Sequence, residues 1–485
     1  MRTLRRFAAA TLLASCTVGP DYVPPQTPEQ VPEAFAEIED PAFQPGEADL
    51  VRWWTVFGDA QLDELISRAS QGNLDLAIAV SRVSEARGRL GFRKAGRAPQ
   101  VGFGGGVAQT SSFQTGFESR TVSSLGADVS WELDVFGRIS REVESATADY
   151  EASEEDRRDV QVSLYAEVAR AYLAVRALQT QLQAAQDNIE SQQRVVELTH
   201  ARADAGLSSA LDVQQAEGVL AASEAEVPGL RINLAREINT LGVLLGRNPT
   251  ALHDELATPK PIPVPPVQVT VGVPGDLLRQ RPDIRAAERR LAAQTARVGV
   301  ATADLYPRFG INASLGMQQI GGGIFNAASQ AFALGPSMRW NVFDGGRVRS
   351  QIQVEDARVD QALLLYERAV LNALEEVETA MTTFTEQRVR VEAVERAAAA
   401  AREALRLATG LYKDGLIGFQ EVLDSQRQLF RQESGVATAR GAASQSLVLL
   451  YRALGGGWDP AEVEQPPAAT AATGPADAAT PARTR

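Results

Sequence analysis

Residues Ile139–Ala205 run 67 positions without a glycine or proline. Ala, Glu, Gln, Arg and Leu dominate the stretch, all fair helix formers. As a single α-helix it would extend roughly 100 Å at 1.5 Å per residue, several times the length of an ordinary globular helix. Its apolar residues Leu164, Val168, Ala171, Val175, Leu178, Leu182, Ala185, Ile189 and Val196 recur at alternating steps of four and three, the 3.5-residue period of a coiled-coil seam. A second rod, Val348–Thr409, carries the same period at Leu363, Val370, Val377, Phe384 and Val391. A chain with two such rods cannot wrap them into one compact core.

The rods belong to an internal repeat. Trp131 and Trp340 each close a strand-like segment and lead into a rod. Gly206 and Gly415 end the rods, and Leu245-Gly246 and Leu454-Gly455 end the helices that return from them, every pair 209 residues apart. Pro99 and Pro307, each before a first strand, stand 208 apart. The repeat predicts helix, strand, strand, long helix and return helix, twice. The first copy spans 60–247, with helices over 60–94 broken near Gly72, strands 101–110 and 121–133, rod 139–205 and return helix 210–245. There Pro228 is expected to kink or break the helix. A proline-rich connector covers 248–274. The second copy spans 275–456, with strands 308–318 and 331–341, rod 348–409 and return helix 419–454. The Ala-, Pro- and Thr-rich end, 457–485, reads as a disordered tail.

The strands alternate. Leu125, Ala127, Val129, Trp131 and Leu133 interleave with Ser124, Gly126, Asp128, Ser130 and Glu132, so one face is apolar and the other polar. Phe309, Ile311, Ala313, Leu315 and Met317 do the same against small or polar partners. Strands of about ten residues with an apolar face are membrane-sized. Lipid accepts strands only as a closed barrel, and four strands cannot close one, so strands that span require several chains. The alternative is a soluble four-stranded sheet under a helical bundle.

The N-terminus reads as an export signal over 1–15: Arg2, Arg5 and Arg6, then the apolar run Phe7–Ala14. It ends Leu13-Ala14-Ser15-Cys16, which resembles a bacterial lipobox; the resemblance implies cleavage before Cys16 and acylation of its sulfur and new amino group. Cys16 is the only cysteine. Thr17, rather than Asp, follows it, which implies sorting to the outer membrane. The lipidated arm, 16–59, is Pro-rich and acidic up to Asp49 and reads as an extended segment laid on something else. Cleavage would take the formal charge of −13 to −16 by removing three arginines.

So acidic a chain, without a basic patch, excludes nucleic-acid binding. One cysteine and two separate histidines, His200 and His253, provide no metal site and no catalytic triad. Gly321-Gly322-Gly323 lacks the Gly-Lys-Ser/Thr of a phosphate loop. The expectation is a non-enzyme without cofactors, apart from the acyl groups on Cys16.

Several segments together resemble the TolC-like and NodT-like outer-membrane efflux proteins. They are Cys16-Thr17-Val18-Gly19-Pro20-Asp21-Tyr22, Arg281-Pro282-Asp283-Ile284 with Ala287-Glu288 and Leu291, Leu305-Tyr306-Pro307, Leu423-Asp424-Ser425-Gln426-Arg427, and Tyr451-Arg452-Ala453-Leu454-Gly455-Gly456-Gly457-Trp458. The resemblance covers Cys16 to Trp458. It implies an α+β membrane protein and a homotrimer: twelve strands, four per chain, in one β-barrel continued by a long periplasmic α-helical barrel. It implies a passive exit channel of a tripartite pump of the RND type, working with a periplasmic adaptor and an inner-membrane pump on small-molecule cargo. Type I protein secretion and metal efflux are alternatives within the family. With four Met and two His, no metal-lined path is visible. A non-porous periplasmic scaffold lipoprotein is the reading from another class.

The mechanistic end is the tip of the rods, at the turns containing Gly206 and Gly415. Gln420, Asp424 and Arg427 fall at i, i+4 and i+7 on one helix face, with Glu421 beside them. In a trimer each becomes a ring of three, and crowded carboxylates attract cations. The resemblance matches Asp424 to the family's pore-ring aspartate and Glu421 to a second one found in some members. It matches Asp212 and Tyr412 to positions that in some members pin the hairpins shut, to be splayed by the adaptor. Gln420 and Ile417 depart from relatives that carry Leu and Arg there. The plain alternative is an i,i+3 surface pair between Asp424 and Arg427.

Overall fold

The computed structural model describes residues 17–26, 31–46, 49–111, 113, 117, 119–320 and 330–459. In chain order the elements are strand β1 (Phe43–Pro45), helices α1 (Ala60–Gly72) and α2 (Leu74–Ala95), strands β2 (Gln100–Thr110) and β3 (Arg120–Leu133), then the rod α3 (Arg138–Asp204) and return helix α4 (Ala210–Leu244). Strand β4 (Val269–Val271) opens the second half. Helix α5 (Pro282–Ala303), strands β5 (Arg308–Ile320) and β6 (Gln330–Arg339), rod α6 (Arg347–Lys413) and return helix α7 (Phe419–Ala453) complete it. Both rods have 67 residues and both return helices 35.

Three features differ from the sequence-based expectation. The second rod does not stop at Thr409; it passes through Gly410 and ends at Lys413, because Gly415 at φ +74° supplies the left-handed cap. Pro228 does not break α4, which is helical across it and packs along α3. The chain stays ordered past 456: Trp458 is buried, donates to the Gln280 carbonyl at 3.0 Å, and lies 5.2 Å from each of the guanidinium groups of Arg158 and Arg285. Residues 460–485 of the expected tail lie outside the described residues, as does the signal segment with Cys16.

The main core sits at mid-rod. Trp53 stacks on Tyr451 at 5.4 Å, and Trp54 meets Tyr165 edge-on at 5.0 Å, so the arm's tryptophan pair fastens the middle of α3 to the end of α7. The arm and the connector meet in a two-stranded parallel sheet, β1 with β4. Arg176 is fully buried there. It is held by neutral acceptors, Gln61, Gln179 and the Thr258 carbonyl, and by the face of Tyr172 at 4.8 Å. The Arg-Pro-Asp-Ile segment has a structural role in this region. Arg281 grips Asp283 through two hydrogen bonds, Glu376 at 2.7 Å and the Ala453 carbonyl at 2.8 Å, which joins α5, α6 and α7.

Asp159 lies beside this cluster, in a cavity of ≈ 160 Å³ with Arg281, Asp283, Glu376 and Arg452. Burial, reinforced by the charge of Asp283, pushes its carboxyl up to about 6, against the pull of Arg281 and Arg452. The folded chain therefore keeps a proton that the unfolded chain releases near pH 4, and stability is lost as pH rises through that window. Asp159→Asn should remove this loss, worth on the order of 2–3 kcal/mol per copy at pH 7.5. Melting temperatures of both proteins at pH 4 and 7.5 check it, the variant gaining only at the higher pH.

The other sheet has the order β2-β3-β5-β6, antiparallel throughout, with the outer sides of β2 and β6 unpaired among the described residues. Its register aligns the two faces predicted from alternation. Phe103, Ala127, Leu315 and Phe332 form one row, and Val101, Val129, Ala313 and Leu334 the next. Phe103, Phe332 and Leu334 are exposed large apolar side chains on this face, which no water-facing sheet would sustain. The opposite face carries rows such as Gly104, Gly126, Gly316 and Ala331. At the helical end Trp131 donates to the Arg97 carbonyl and Trp340 to that of Leu305, both at 3.0 Å, one from each repeat. With the exposed Phe343 they form an aromatic belt of the kind found at membrane interfaces. Strands β2 and β6 run in opposite senses, so the free edge of β6 can pair antiparallel with β2 of the next copy. No helix among the described residues is long and apolar enough to cross a membrane; the sheet is the membrane-spanning part.

Candidate functional site: the hairpin tip

Both rods end the same way. Gly206 (φ +72°) and Gly415 (φ +74°) reverse the chain, and Leu207 and Leu416 bond back to the carbonyls of Arg202 and Leu411 at 2.7 and 2.9 Å. The return helices start differently. Ser209 caps α4, its hydroxyl accepting from the Asp212 amide while the Asp212 carboxylate accepts from the Ser209 amide at 2.9 Å. Helix α7 begins at Gly418, which has no capping side chain. Glu421, the repeat counterpart of Asp212, leans its carboxylate against Gly418.

A small apolar core locks the two turns together: Ala216, Val219, Ala408, Tyr412, Phe419, Val422 and Leu423. Tyr412 is its centre. Its ring packs on Phe419 at 5.5 Å, and its hydroxyl meets the Ser208 hydroxyl at 3.0 Å. The Arg202 guanidinium lies 4.5 Å from the ring centroid and donates to the Tyr412 carbonyl at 3.3 Å. This corrects the expected pairing of Asp212 with Tyr412. Within the chain Asp212 is occupied in capping its own helix, and the tyrosine is held by Ser208 and Arg202 instead.

Ser208 reads from the sequence as a turn or capping serine, and Arg202 as a helix-end arginine; neither points to Tyr412. Shifted by 209, Arg202 falls on Leu411 and Ser208 on Ile417. The latch is therefore a place where the two halves of the repeat differ, and that asymmetry was the available signal.

Gln420, Glu421, Asp424 and Arg427 occupy the exposed face of α7, while Phe419, Val422, Leu423 and Gln426 are buried. Gln420 donates to Asp424 Oδ1 at 3.1 Å, and Arg427 reaches the same oxygen at 3.4 Å. Within one chain this is a solvent-exposed pair of small energetic weight. Asp424 and Arg427 also line a cleft of ≈ 490 Å³ between the hairpins, with Gln192, Glu226 and Phe430. Among the described residues no cluster of His, Cys, Asp and Glu is arranged to hold a metal.

A sheet with one lipid-type face and two open edges, joined to rods that end in a locked tip, defines a multichain channel of the outer membrane. The chain belongs to the outer membrane efflux protein family, whose model matches residues 65–247 and 273–456. It is 31% identical over 479 residues to nodulation protein T of Rhizobium leguminosarum bv. viciae, covering 95% of each chain. It is 29% identical over 459 residues to the cation efflux system protein CusC of Escherichia coli K12, covering 93% of this chain and 98% of that one. The fold superposes on the outer-membrane channel OprN with a TM-score of 0.84 at 37% identity, over 91% of this chain and all of that one. The protein is thus an outer-membrane efflux channel and not an enzyme. Three copies close a twelve-stranded barrel, which a long periplasmic helical barrel continues.

Proposed function

We propose that the chain is the exit duct of a tripartite pump of the RND type for small toxic compounds, closed at rest at its periplasmic tip. The observation that carries the gate is the Tyr412 latch, which ties together the two turns that would have to separate for the tip to widen. Around the three-fold axis, Gln420, Glu421, Asp424 and Arg427 form rings, with Asp424 and Glu421 the anionic ones. A periplasmic adaptor opens the tip by splaying the hairpins, and the inner-membrane pump delivers the cargo. The names of the relatives, nodulation protein and cation efflux protein, point to different cargoes. A chain with four Met and two His favours organic compounds over metal ions.

The mature N-terminus is a lipid anchor on Cys16. Support comes from the residues that follow it. Val18 donates to the Phe136 carbonyl at 3.2 Å, and Arg141 binds the Val18 and Gly19 carbonyls and Asp21. Gly19, at φ +89°, sits where a Cβ would come within 2.4 Å of Gly299. Thr17 thereby lies against Gly137, four residues after Leu133 ends β3, close to the aromatic belt. Acyl chains on residue 16 enter the bilayer from there.

A strain lacking this channel, complemented with wild type or Cys16→Ala, tests both statements. Wild type should lower ethidium retention and incorporate labelled palmitate; Cys16→Ala should lose the label and still form trimers. Palmitate on the variant would refute the anchor, and unchanged dye retention with wild type would refute the efflux reading.

A further inference from the structure

We propose that Asp128 sets the charge preference of the barrel lumen, three copies forming an anionic band that favours cations and repels anions. Asp128 lies on the polar face of the sheet, level with Gly102, Ser314 and Ala333. The adjoining row is Gly104, Gly126, Gly316 and Ala331, and the row on the other side carries only uncharged residues. Gly126 and Gly316 face each other so closely that a Cβ on Gly126 would lie 3.0 Å from the Gly316 α-carbon. This middle stretch of the lumen is therefore stripped of bulk. It does not sieve by size, and among the described residues Asp128 is its one ionisable side chain.

The carboxylate is free and seated. No side chain among the described residues pairs with it, and the residue is exposed. It lies across Gly102, where a Cβ would come within 2.8 Å of Oδ1. Glycine at 102 thus leaves the room that the carboxylate occupies. Other charges on this face are spent or distant. Glu132 is held by Arg138 through two bonds of 2.9 Å, and Arg308 by Asp304. Arg339 pairs with Arg308 in register, six residues along β5 from Ser314, roughly 20 Å at strand rise. Arg120 stands eight residues along β3, at the outer mouth, roughly 27 Å away. Both lie beyond about two Debye lengths at physiological salt. The middle band keeps its own sign.

Current through the whole channel is governed by its narrowest part, so a reporter beside Asp128 is the direct test. Ser314→Cys places a thiol on the register partner of Asp128. Full-length trimers in lipid nanodiscs are treated with a trimethylammonium and a sulfonate methanethiosulfonate reagent, and rates are normalised to those of a free thiol. Parent protein without the new thiol gives the background. The cationic reagent should be favoured several-fold at 0.15 M salt, where Asp128 is within one screening length of the thiol and the arginines are not, and the preference should vanish in 1 M salt. It should also vanish in the isosteric Asp128→Asn and invert in Asp128→Lys. A thiol at Leu315, on the lipid face, should react with neither reagent. The proposal is overturned if the preference is the same with Asp128→Asn, or if the thiol at 314 is unreactive to both reagents.

Discussion

Arg202→Ala combined with Tyr412→Phe should raise the mean single-channel current of the trimer several-fold. The latch in each chain combines a hydroxyl pair, a guanidinium bond to a carbonyl and a cation–π contact. Hydrogen bonds of this kind contribute about 1 kcal/mol net and a partly desolvated cation–π contact about as much. Loss of roughly 3 kcal/mol per copy shifts a closed–open balance more than a hundredfold for one hairpin pair, and further where three copies open together. Phe419 and Val422 still bury the aromatic ring in the variant, so the tip loosens without unfolding. Planar-bilayer recording measures the effect. Currents equal to wild type would show that these residues only cap the helices and do not hold the pore closed.

Phe103→Lys should abolish the heat-resistant trimer, whereas Ser124→Lys should preserve it. Phe103 lies on β2 in the apolar row with Leu315 and Phe332. A lysine facing lipid near the bilayer middle costs about 2–4 kcal/mol, and each trimer carries it three times. Ser124 points to the opposite face, level with Gly106 and Gln318, where water solvates the ammonium. Electrophoresis without heating distinguishes the two variants. A soluble sheet under a helical bundle would tolerate both, so the contrast between faces decides whether this sheet spans the membrane.

What could be read before the structure follows from how local each signal is. The rods are visible because glycine and proline are absent over long stretches, and their ends because Gly206 and Gly415 stand where only a left-handed residue closes the helix. The strands are visible in β3 and β5, where polar and apolar residues alternate. They are faint in β2, whose Gly102, Gly104 and Gly106 carry no polarity. Gly410 and Pro228 mislead a local reading, because tertiary packing along the rods outweighs their cost of about 1 and 3 kcal/mol. The tip is harder. The exposed face of Gln420, Glu421, Asp424 and Arg427 follows from helical spacing, but the partner of Tyr412 depends on how two turns, 209 residues apart in the repeat, come together. Ser208 and Arg202 are close to it in space, and nothing local in the sequence announces this. Arg141 and Trp458 likewise matter through contacts more than 100 residues distant.

Single-channel recording of purified wild-type trimers in planar bilayers tests most directly whether three chains form one pore closed at the hairpin tip. Discrete unitary steps, small at rest and larger when the latch is removed, are the predicted result. Trimers that insert into the bilayer and carry no current, with or without the latch, would contradict it.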